Sequence, residues 1–163
     1  MKKGKLTITL QERTEDHVRV YFENASDPEI KKWLPQKAKT VAEAVADFQK
    51  SLAPNATSYG KTIYADDRYV GDIWCYCIGE EEEPDAMVSY CVFDKACWGQ
   101  GIATQALTLF LKAIKEKYEL KHVGAFTYSA NKASVQVLLK NGFTMREEFL
   151  EDGVMSAYLQ KDL

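Results

Sequence analysis

The sequence lacks a long apolar segment, because no hydrophobic run in its 163 residues approaches the roughly 20 needed to cross a bilayer. It also lacks an excess of positive charge, since the formal net charge is −3, and a broad nucleic-acid-binding surface is therefore not expected. The first ten residues, MKKGKLTITL, alternate polar and apolar residues and do not form the unbroken apolar region of a signal peptide. These absences predict a cytoplasmic protein with neither a membrane nor a nucleic acid as its partner.

Cysteine and histidine are scarce, with four and two residues respectively. Cys75 and Cys77 lie two apart in a strand-like run, which is not the spacing of a structural zinc site, and His17 and His122 do not complete one. A disulfide framework is not expected in a chain without a secretory signal. We therefore expect buried or half-buried free thiols and no metal.

Apolar residues are plentiful, at 46% of the chain, and charged residues make up 28%. This composition favours a folded domain over a disordered chain. The sequence shows no repeat and no linker, and the longest polar stretch, GEEEEPD at 79–85, is too short to separate two domains. We expect one domain over residues 1–163, as a monomer or a homodimer.

Three helices are predicted in the first third of the chain, after a strand at residues 5–10. Thr14 is the predicted N-cap of the first helix, and Asp27, which precedes a proline, begins the second. Thr40 and Glu43 have the spacing of a capping box at the start of the third helix.

The middle of the chain changes to the two-residue period of β-strands. Strands at 61–65 and 69–78 flank a turn at Asp66–Asp67, and a third strand follows at 87–93. Because the three runs are consecutive and their connections are short, we expect an antiparallel meander.

The second half alternates between helices and strands. Apolar residues at helical spacing predict a helix from Ala103 to Tyr118, and a strand follows at 122–128. Asn131 is the predicted N-cap of the last helix, and two strands joined at Asp152–Gly153 end the chain. This order of elements predicts an α+β domain with a mixed sheet.

Two glycines, Gly99 and Gly101, stand directly before the longest predicted helix. A helix start has unpaired N–H groups and a positive potential, so a start without nearby side chains suits a diphosphate. A Walker P-loop is excluded because no lysine follows, and a dinucleotide fingerprint fits poorly because Thr104 stands at its third glycine. A coenzyme A diphosphate and a simple glycine turn both remain open at this point.

The residues around the glycines, CVFDKACWGQGIATQAL, resemble the cofactor-binding motif of the GNAT N-acetyltransferase superfamily, (Gln/Arg)-x-x-Gly-x-(Gly/Ala). Trp98 departs from the first position, but the W-G-x-G-x-A-T form is typical of the ribosomal-protein-alanine and spermidine acetyltransferase branch. NKASVQVLLKNGF, at 131–143, resembles the family's N-x-x-(A/S)…K-x-G-F segment, and YVGDIW, SDPEIKKWLP and TVAEAVADF also match. The resemblance covers nearly the whole chain in order.

The resemblance implies a GNAT fold, with a central, mostly antiparallel sheet of about seven strands that is splayed between strands 87–93 and 122–128 and flanked by helices. It also implies acetyl-CoA as the donor, with its pantetheine arm in the splay and its diphosphate on the glycine loop. The implied cofactor-binding residues are Cys91, Val92 and Phe93 on the strand, Trp98, Gly99, Gln100, Gly101, Ile102, Ala103 and Thr104 on the loop and helix start, and Asn131, Ser134 and Lys140 opposite.

The implied reaction is direct attack of a primary amine, on a small molecule or a protein N-terminus, in a ternary complex. Ser134 matches a serine implicated in this branch, whereas the tyrosine that many members use as the acid is replaced by Leu138. Tyr128 and Tyr90 are reserve proton donors, and Asp72 is the candidate base. The candidates for an acceptor pocket are Trp33, Tyr59, Tyr64 and Trp74.

Two other functions remain open. Leu138, and Val88 at the position where the branch often places a glutamate, are compatible with a catalytically silent acyl-CoA-binding module. A dinucleotide-binding protein is the second alternative.

Overall fold

A seven-stranded sheet forms the centre of the computed structural model, which describes residues 6–163. Its strands lie in the order β1-β2-β3-β4-β5-β7-β6. Lys5, the first residue of the predicted N-terminal strand, lies outside the described residues. In chain order, the elements are β1 (Ile8–Glu12), α1 (Glu15–Ala25), α2 (Pro28–Trp33), α3 (Val41–Ser51), β2 (Tyr59–Ala65), β3 (Arg68–Tyr76), β4 (Ala86–Val92), a short 3₁₀ helix (Lys95–Cys97), α4 (Ile102–Tyr118), β5 (His122–Tyr128), α5 (Lys132–Lys140), β6 (Thr144–Glu151) and β7 (Val154–Asp162).

The predicted N-caps of the first three helices are confirmed, although one capping box differs from the prediction. The Thr14 hydroxyl accepts from the His17 N–H, and the His17 ring accepts from the Thr14 N–H, which closes a capping box that sequence analysis did not predict. At α3, Thr40 accepts from the Glu43 N–H as expected. The Glu43 carboxylate, however, accepts from the Lys39 N–H at 2.7 Å, one residue before the cap.

The predicted meander of three strands is confirmed, because β2, β3 and β4 pair in sequence and antiparallel. β1 pairs antiparallel with β2 and adds a fourth strand. β5 pairs antiparallel with β7, and β7 pairs antiparallel with β6. One parallel contact, between β4 and β5, joins the two halves into the predicted mixed sheet.

The joint between β4 and β5 is short. The two strands pair through Ala86 with Val123 and through Met87 with Gly124, at their N-terminal ends. Each strand continues for several residues beyond these pairs. The sheet is therefore splayed at the predicted position, and main-chain groups on the last part of β4 face a gap instead of a neighbouring strand.

Helices cover both faces of the N-terminal half of the sheet. α4 contacts β1, β3 and β4, and its buried face includes Leu107, Phe110 and Ile114. A second cluster packs Ala25 and Ile30, from α1 and α2, against Cys91 and Phe93. Since neighbouring residues of β4 point to opposite faces, Tyr90 and Val92 pack with the cluster that contains α4.

Other features of residues 6–163 bear on the predicted function classes. None of their helices is long and apolar enough to span a membrane, and no cluster of three or more metal-liganding side chains occurs in this range. The four cysteines are free, and three of them are buried.

Candidate active site

A cleft of about 470 Å³ occupies the gap between β4 and β5. The starts of α4 and α5 line it, together with Ile30 and Trp33 of α2 and the C-cap of that helix, Leu34. The volume is typical of a site for a small ligand. The cleft thus joins the glycine loop before α4 to the splayed centre of the sheet.

The glycine loop ends in an uncovered helix start. Gly99 and Gly101 have φ angles of 78° and 75°, which favour glycine, and a Cβ built on either would meet no atom within 4 Å. Gly101 is the N-cap and provides no side-chain hydrogen bond. Because the first intrahelical bond runs from the Gln105 N–H to the Gly101 carbonyl, the N–H groups of residues 102–104 have no helical acceptor. These groups fit a diphosphate.

The large side chains of the loop fold back on the protein and leave this helix start open. The Gln100 side-chain amide donates to the Ala96 carbonyl at 2.9 Å. The Trp98 indole N–H donates to the Val92 carbonyl at 2.7 Å, which ties the loop to the end of β4. Trp98 also lines the cleft, whereas Gln100 is not among its lining residues.

The register of β4 decides which main-chain groups face the gap. The Phe93 N–H donates to the Val70 carbonyl at 2.9 Å, and Val92 pairs with Gly71. Because the hydrogen-bonding direction alternates along an antiparallel strand, the polar groups of Cys91 and Phe93 face β3, and those of Tyr90 and Val92 face the gap. Of the three residues expected beside the pantetheine arm, Val92 thus presents its main-chain groups to the gap, together with Tyr90, whereas Cys91 and Phe93 present theirs to β3.

Two hydroxyl groups meet where β4 approaches α5. The Tyr90 hydroxyl lies 3.0 Å from Ser134 Oγ and 3.1 Å from the Ser134 carbonyl oxygen. The Asn131 side chain accepts from the Ser134 N–H at 3.3 Å and holds this helix start in place. Burial raises the pKa of Tyr90 to about 12, although the bond to Ser134 opposes the shift, so the phenol stays protonated at neutral pH. Both residues line the cleft.

Most, but not all, of the other predicted site residues line the cleft. Ile102, Ala103, Thr104, Asn131 and Lys140 line the cleft. The side chains of Phe93 and Tyr128 are not among those that line it. Phe93 packs against α1 and α2, and the Tyr128 carbonyl accepts from the Asn131 N–H at 2.9 Å.

Asp72 lies outside the cleft, although it was predicted as the base. Its side chain is on β3 and is 3% exposed, with Oδ2 3.2 Å from Arg13 Nη2 and Oδ1 accepting from the Tyr69 hydroxyl. Burial raises the pKa of Asp72 to about 6, and Arg13 and Tyr69 each lower it. Asp72 lines a second cavity and is not among the residues that line the cleft.

The four aromatic candidates for an acceptor pocket separate into three places. Trp33 lines the cleft, and Tyr59 and Trp74 line the second cavity. The Tyr64 hydroxyl lies 2.8 Å from Nε2 of His17. Because Nδ1 of this ring accepts from the Thr14 N–H, the ring in its neutral form donates from Nε2 to Tyr64.

The cleft has few groups that ionise near neutral pH. No aspartate, glutamate or histidine belongs to its lining within residues 6–163. Burial raises the pKa of both lining thiols, to about 12 for Cys91, so neither is a thiolate at neutral pH. The amine of Lys140 is the one side-chain cation among the described residues of the lining.

A match to a protein-family model over most of the sequence establishes the family of this chain. The family model described as an acetyltransferase (GNAT) domain matches residues 7–144. The chain belongs to the GNAT acetyltransferase family. It is therefore an N-acetyltransferase with acetyl-CoA as the donor, and the predicted family, enzyme class and donor are confirmed. A comparison of this acetyltransferase with curated proteins found no match.

Solved structures share the fold of the acetyltransferase at low sequence identity. An aminoglycoside acetyltransferase AAC(6')-Ib in complex with coenzyme A has a TM-score of 0.80 at 15% identity, over 96% of this chain and 95% of that one. The ribosomal-protein α-N-acetyltransferase RimL, also with coenzyme A, has 0.80 at 19% identity, over 96% and 94%. The microcin C7 self-immunity acetyltransferase MccE, in complex with acetyl-CoA and AMP, has 0.76 at 17% identity, over 96% and 92%.

Proposed function

We propose that the acetyltransferase transfers the acetyl group directly to a primary amine, preferentially an α-amine, in a ternary complex in the β4–β5 cleft. The observation that carries the proposal is the course of the cleft, which runs from an uncovered helix start to the Tyr90–Ser134 hydroxyl pair. The cleft therefore contains groups suited to binding the donor and groups suited to transferring a proton.

The donor is held mainly by main-chain groups. The N–H groups of residues 102–104 receive the diphosphate, and the gap-facing groups of Tyr90 and Val92 receive the pantetheine arm. Because the Val92 carbonyl already accepts from Trp98, the Val92 N–H and the Tyr90 carbonyl and N–H are the free groups. Lys140 adds positive charge on the α5 side. Acetyl-CoA, when bound, supplies the acetyl group as a thioester.

Ser134 is the proposed proton donor to the departing sulfur. Its Oγ lies in the cleft and within hydrogen-bonding distance of the Tyr90 hydroxyl. When the Tyr90 hydroxyl donates to Ser134 Oγ, the serine O–H is free to protonate the departing sulfur, and Tyr90 then reprotonates Ser134. The proton that the attacking nitrogen loses as the amide forms returns to Tyr90 through water, so the transfer balances. Since the pKa of Tyr90 is raised to about 12, the phenol remains a donor throughout the neutral range.

The absence of a base from the described lining bears on the acceptor. With no carboxylate or imidazole in that lining, the amine must reach the cleft already neutral or lose its proton to water. At pH 7 about one α-amine in ten is neutral, against fewer than about one lysine-type amine in a thousand. This difference supports an α-amine, on a peptide or a small molecule, over a lysine side chain.

The lining thiols do not support an acyl-enzyme. Cys91 is the thiol nearest the expected thioester position on β4, but burial raises its pKa to about 12. No histidine of residues 6–163 belongs to the cleft lining and could activate it. Direct attack by the amine requires no activated thiol and is therefore compatible with the groups that line the cleft.

The test measures thiol release from acetyl-CoA with two acceptors that differ in amine class. The first acceptor is a short peptide whose one amine is its free α-amine. The second is the same peptide with its N-terminus acetylated and one lysine added, so that its one amine is the lysine side chain. We expect turnover with the first at least about tenfold faster at pH 7. The logarithm of kcat/KM should rise with pH at unit slope until the pKa of the acceptor amine is reached.

Two results would contradict the proposal. A pH profile with an inflection near pH 6 to 7 that does not move when the acceptor pKa changes would indicate a base on the enzyme. Accumulation of an acetylated protein in the absence of amine, measured by intact mass, would indicate an acyl-enzyme, and Cys91→Ala is the matched control for it.

A further inference from the structure

Two separate helices, α4 and α5, line the donor cleft. The first turn of α4 contributes Ile102, Ala103 and Thr104, and α5 contributes residues between Ala133 and Lys140. In the proposed function, the donor has its diphosphate at the start of α4 and its thioester beside Ser134 of α5. Both ends of the donor are correctly placed only while the two helices keep one spacing and one orientation.

Asn141, which is the C-cap of α5, connects these two helices. Its side-chain Nδ2 donates to the Thr104 carbonyl in the first turn of α4 and to the Val137 carbonyl in the last turn of α5, at 3.1 Å in each case. Its Oδ1 accepts from the Thr108 hydroxyl at 2.7 Å. One side chain therefore bonds to α4 at two points and to α5 at one.

This connection needs both kinds of hydrogen-bonding group that an amide has. A primary amide carries two N–H donors and a carbonyl oxygen on one planar group. Each donor of Asn141 has its acceptor on a different helix, and the oxygen serves the Thr108 hydroxyl. Aspartate has the same shape but no donor, and alanine has neither donor nor acceptor. The side chain at this position is therefore matched to the task of joining the two helices.

The main chain at Asn141 is held independently of its side chain. The Asn141 N–H donates to the carbonyls of Leu138 and Leu139, and the Phe143 N–H donates to the Leu138 carbonyl at 3.1 Å. Phe143 is buried in the main core, and Gly142 has the left-handed φ, 86°, that is typical of such a helix end. Loss of the amide therefore removes the connection to α4 without removing the end of α5.

We propose that Asn141 is a positioning residue for acetyl transfer, which fixes the α5 wall of the cleft relative to the diphosphate-binding start of α4. Neither Asn141 nor Thr108 is among the residues that line the cleft, so Asn141 acts through the helices that it joins. The inference rests on the proposed function, from which it takes the diphosphate position and the role of Ser134. A ligand that spans two sites binds tightly only when their separation matches its length.

The first experiment compares acetyl-CoA with 3′-phosphoadenosine 5′-diphosphate, the half of coenzyme A that has the diphosphate but no pantetheine arm. Because the half molecule does not reach Ser134, its binding does not require α4 and α5 to be aligned. In Asn141→Ala, we expect the affinity for acetyl-CoA to fall about tenfold and the affinity for the half molecule to change less than about twofold. Titration calorimetry measures both.

Asn24→Ala is the matched control. The Asn24 amide donates to the Val20 carbonyl at 2.8 Å, four residues earlier in α1, as the Asn141 amide does to Val137 in α5. It has no hydrogen bond to α4 among the described residues, so both affinities should be unchanged. Thr108→Val removes one of the two bonds between Asn141 and α4, and it should lower acetyl-CoA affinity by about threefold, again with little effect on the half molecule.

The second experiment measures kcat and KM with a peptide that has a free α-amine. At saturating acetyl-CoA, Asn141→Ala should lower kcat about tenfold, because Ser134 no longer keeps its position relative to the sulfur. The KM for the peptide should change little. A loss of stability alone would leave kcat unchanged at a temperature where circular dichroism shows the variant to be folded.

Equal losses of affinity for acetyl-CoA and for the half molecule would overturn the proposal, because Asn141 would then only support the first turn of α4. Unchanged acetyl-CoA affinity in Asn141→Ala would overturn it as well. If Asn141→Ala does not fold, the same comparison of the two ligands in Thr108→Val decides. Calorimetry does not depend on turnover, so a peptide that is not acetylated would contradict the proposed function while the binding results still decide the role of Asn141.

Discussion

The cleft between β4 and β5 and the cavity beneath α1 and α3 adjoin one another, yet they present different polar groups. The cleft offers main-chain N–H groups, the hydroxyls of Tyr90 and Ser134, and no carboxylate within its described lining. The second cavity holds Arg13 beside Asp72, both largely removed from water. Uncharged donors suit a ligand that brings negative charge and leaves again, whereas a buried ion pair mainly fixes the positions of its own elements.

The difference follows from how each space is built. The cleft exists because some main-chain groups have no partner: those on the part of β4 that separates from β5, and those at the start of α4, whose N-cap makes no side-chain hydrogen bond. The cavity exists because side chains from three elements leave a gap between them. Substitutions in the cleft should therefore change ligand binding and rate, and those in the cavity should change stability and its pH dependence.

The largest effect is expected for Gly101→Asp. A carboxylate at the helix start would occupy the space of the diphosphate and repel it, so acetyl-CoA affinity should fall about a thousandfold. Isothermal titration measures this loss, and circular dichroism should show the fold retained. Gly153→Asp is the matched control, because Gly153 has a similar φ of 79° with no atom near its Cβ position, and its affinity should be unchanged.

Ser134→Ala should lower kcat about a hundredfold, because a positioned proton donor is lost. The KM for acetyl-CoA should change little, since the main-chain contacts remain. Tyr90→Phe is the companion variant and should lower kcat less, as it removes only the resupply of the proton. An unchanged kcat in Ser134→Ala would move the acid role to another group.

Asp72→Asn tests the second cavity, where substitutions should change stability and its pH dependence. Burial raises the pKa of Asp72 to about 6, so between about pH 4 and pH 6 the folded protein keeps a proton that the unfolded chain has released. The free energy of unfolding should therefore fall by about 3 kcal/mol as pH rises through this window, relative to Asp72→Asn, and stay level above it. Urea denaturation of both proteins at several pH values measures the difference. Parallel profiles would show that Asp72 does not titrate in this window.

The smallest effect is expected for Trp98→Phe. The ring still packs, but the indole N–H no longer donates to the Val92 carbonyl, at a cost of about 1 kcal/mol. Acetyl-CoA affinity should fall by about fivefold, because the glycine loop is less firmly tied to β4. Titration calorimetry measures it, and a larger loss from Trp98→Phe than from Trp98→Ala would argue against this role.

Sequence analysis succeeded where the signal is local. The N-caps, the glycine turn and the hairpins each depend on a few neighbouring residues, and the structure confirms them. The position of the splay came from the family resemblance and is also confirmed. The details of a local motif were still predicted incorrectly at Glu43. Its carboxylate accepts from the N–H of Lys39, one residue before the expected partner Thr40.

Contacts between segments that are far apart in sequence could not be predicted in this way, because no local pattern of residues indicates them. Tyr90 and Ser134 are 44 residues apart, and only the fold brings their hydroxyl groups together. The ion pair of Arg13 with Asp72 was likewise not foreseen, and it removes from the cleft the carboxylate that sequence alone offered as a base. The β4 register, which sets which main-chain groups of this strand face the gap, depends on pairing with β3.

The short ladder between β4 and β5 has a consequence for the range of acyl groups that this scaffold can accept. The two halves of the sheet are joined only through Ala86 with Val123 and Met87 with Gly124, so spreading the gap beyond these pairs breaks no strand-to-strand hydrogen bond. The width available to an acyl chain is then set by side chains such as Tyr90 and Leu138 on its walls. Enlarging a single wall residue inward or trimming it could therefore retune chain-length preference while leaving the architecture intact.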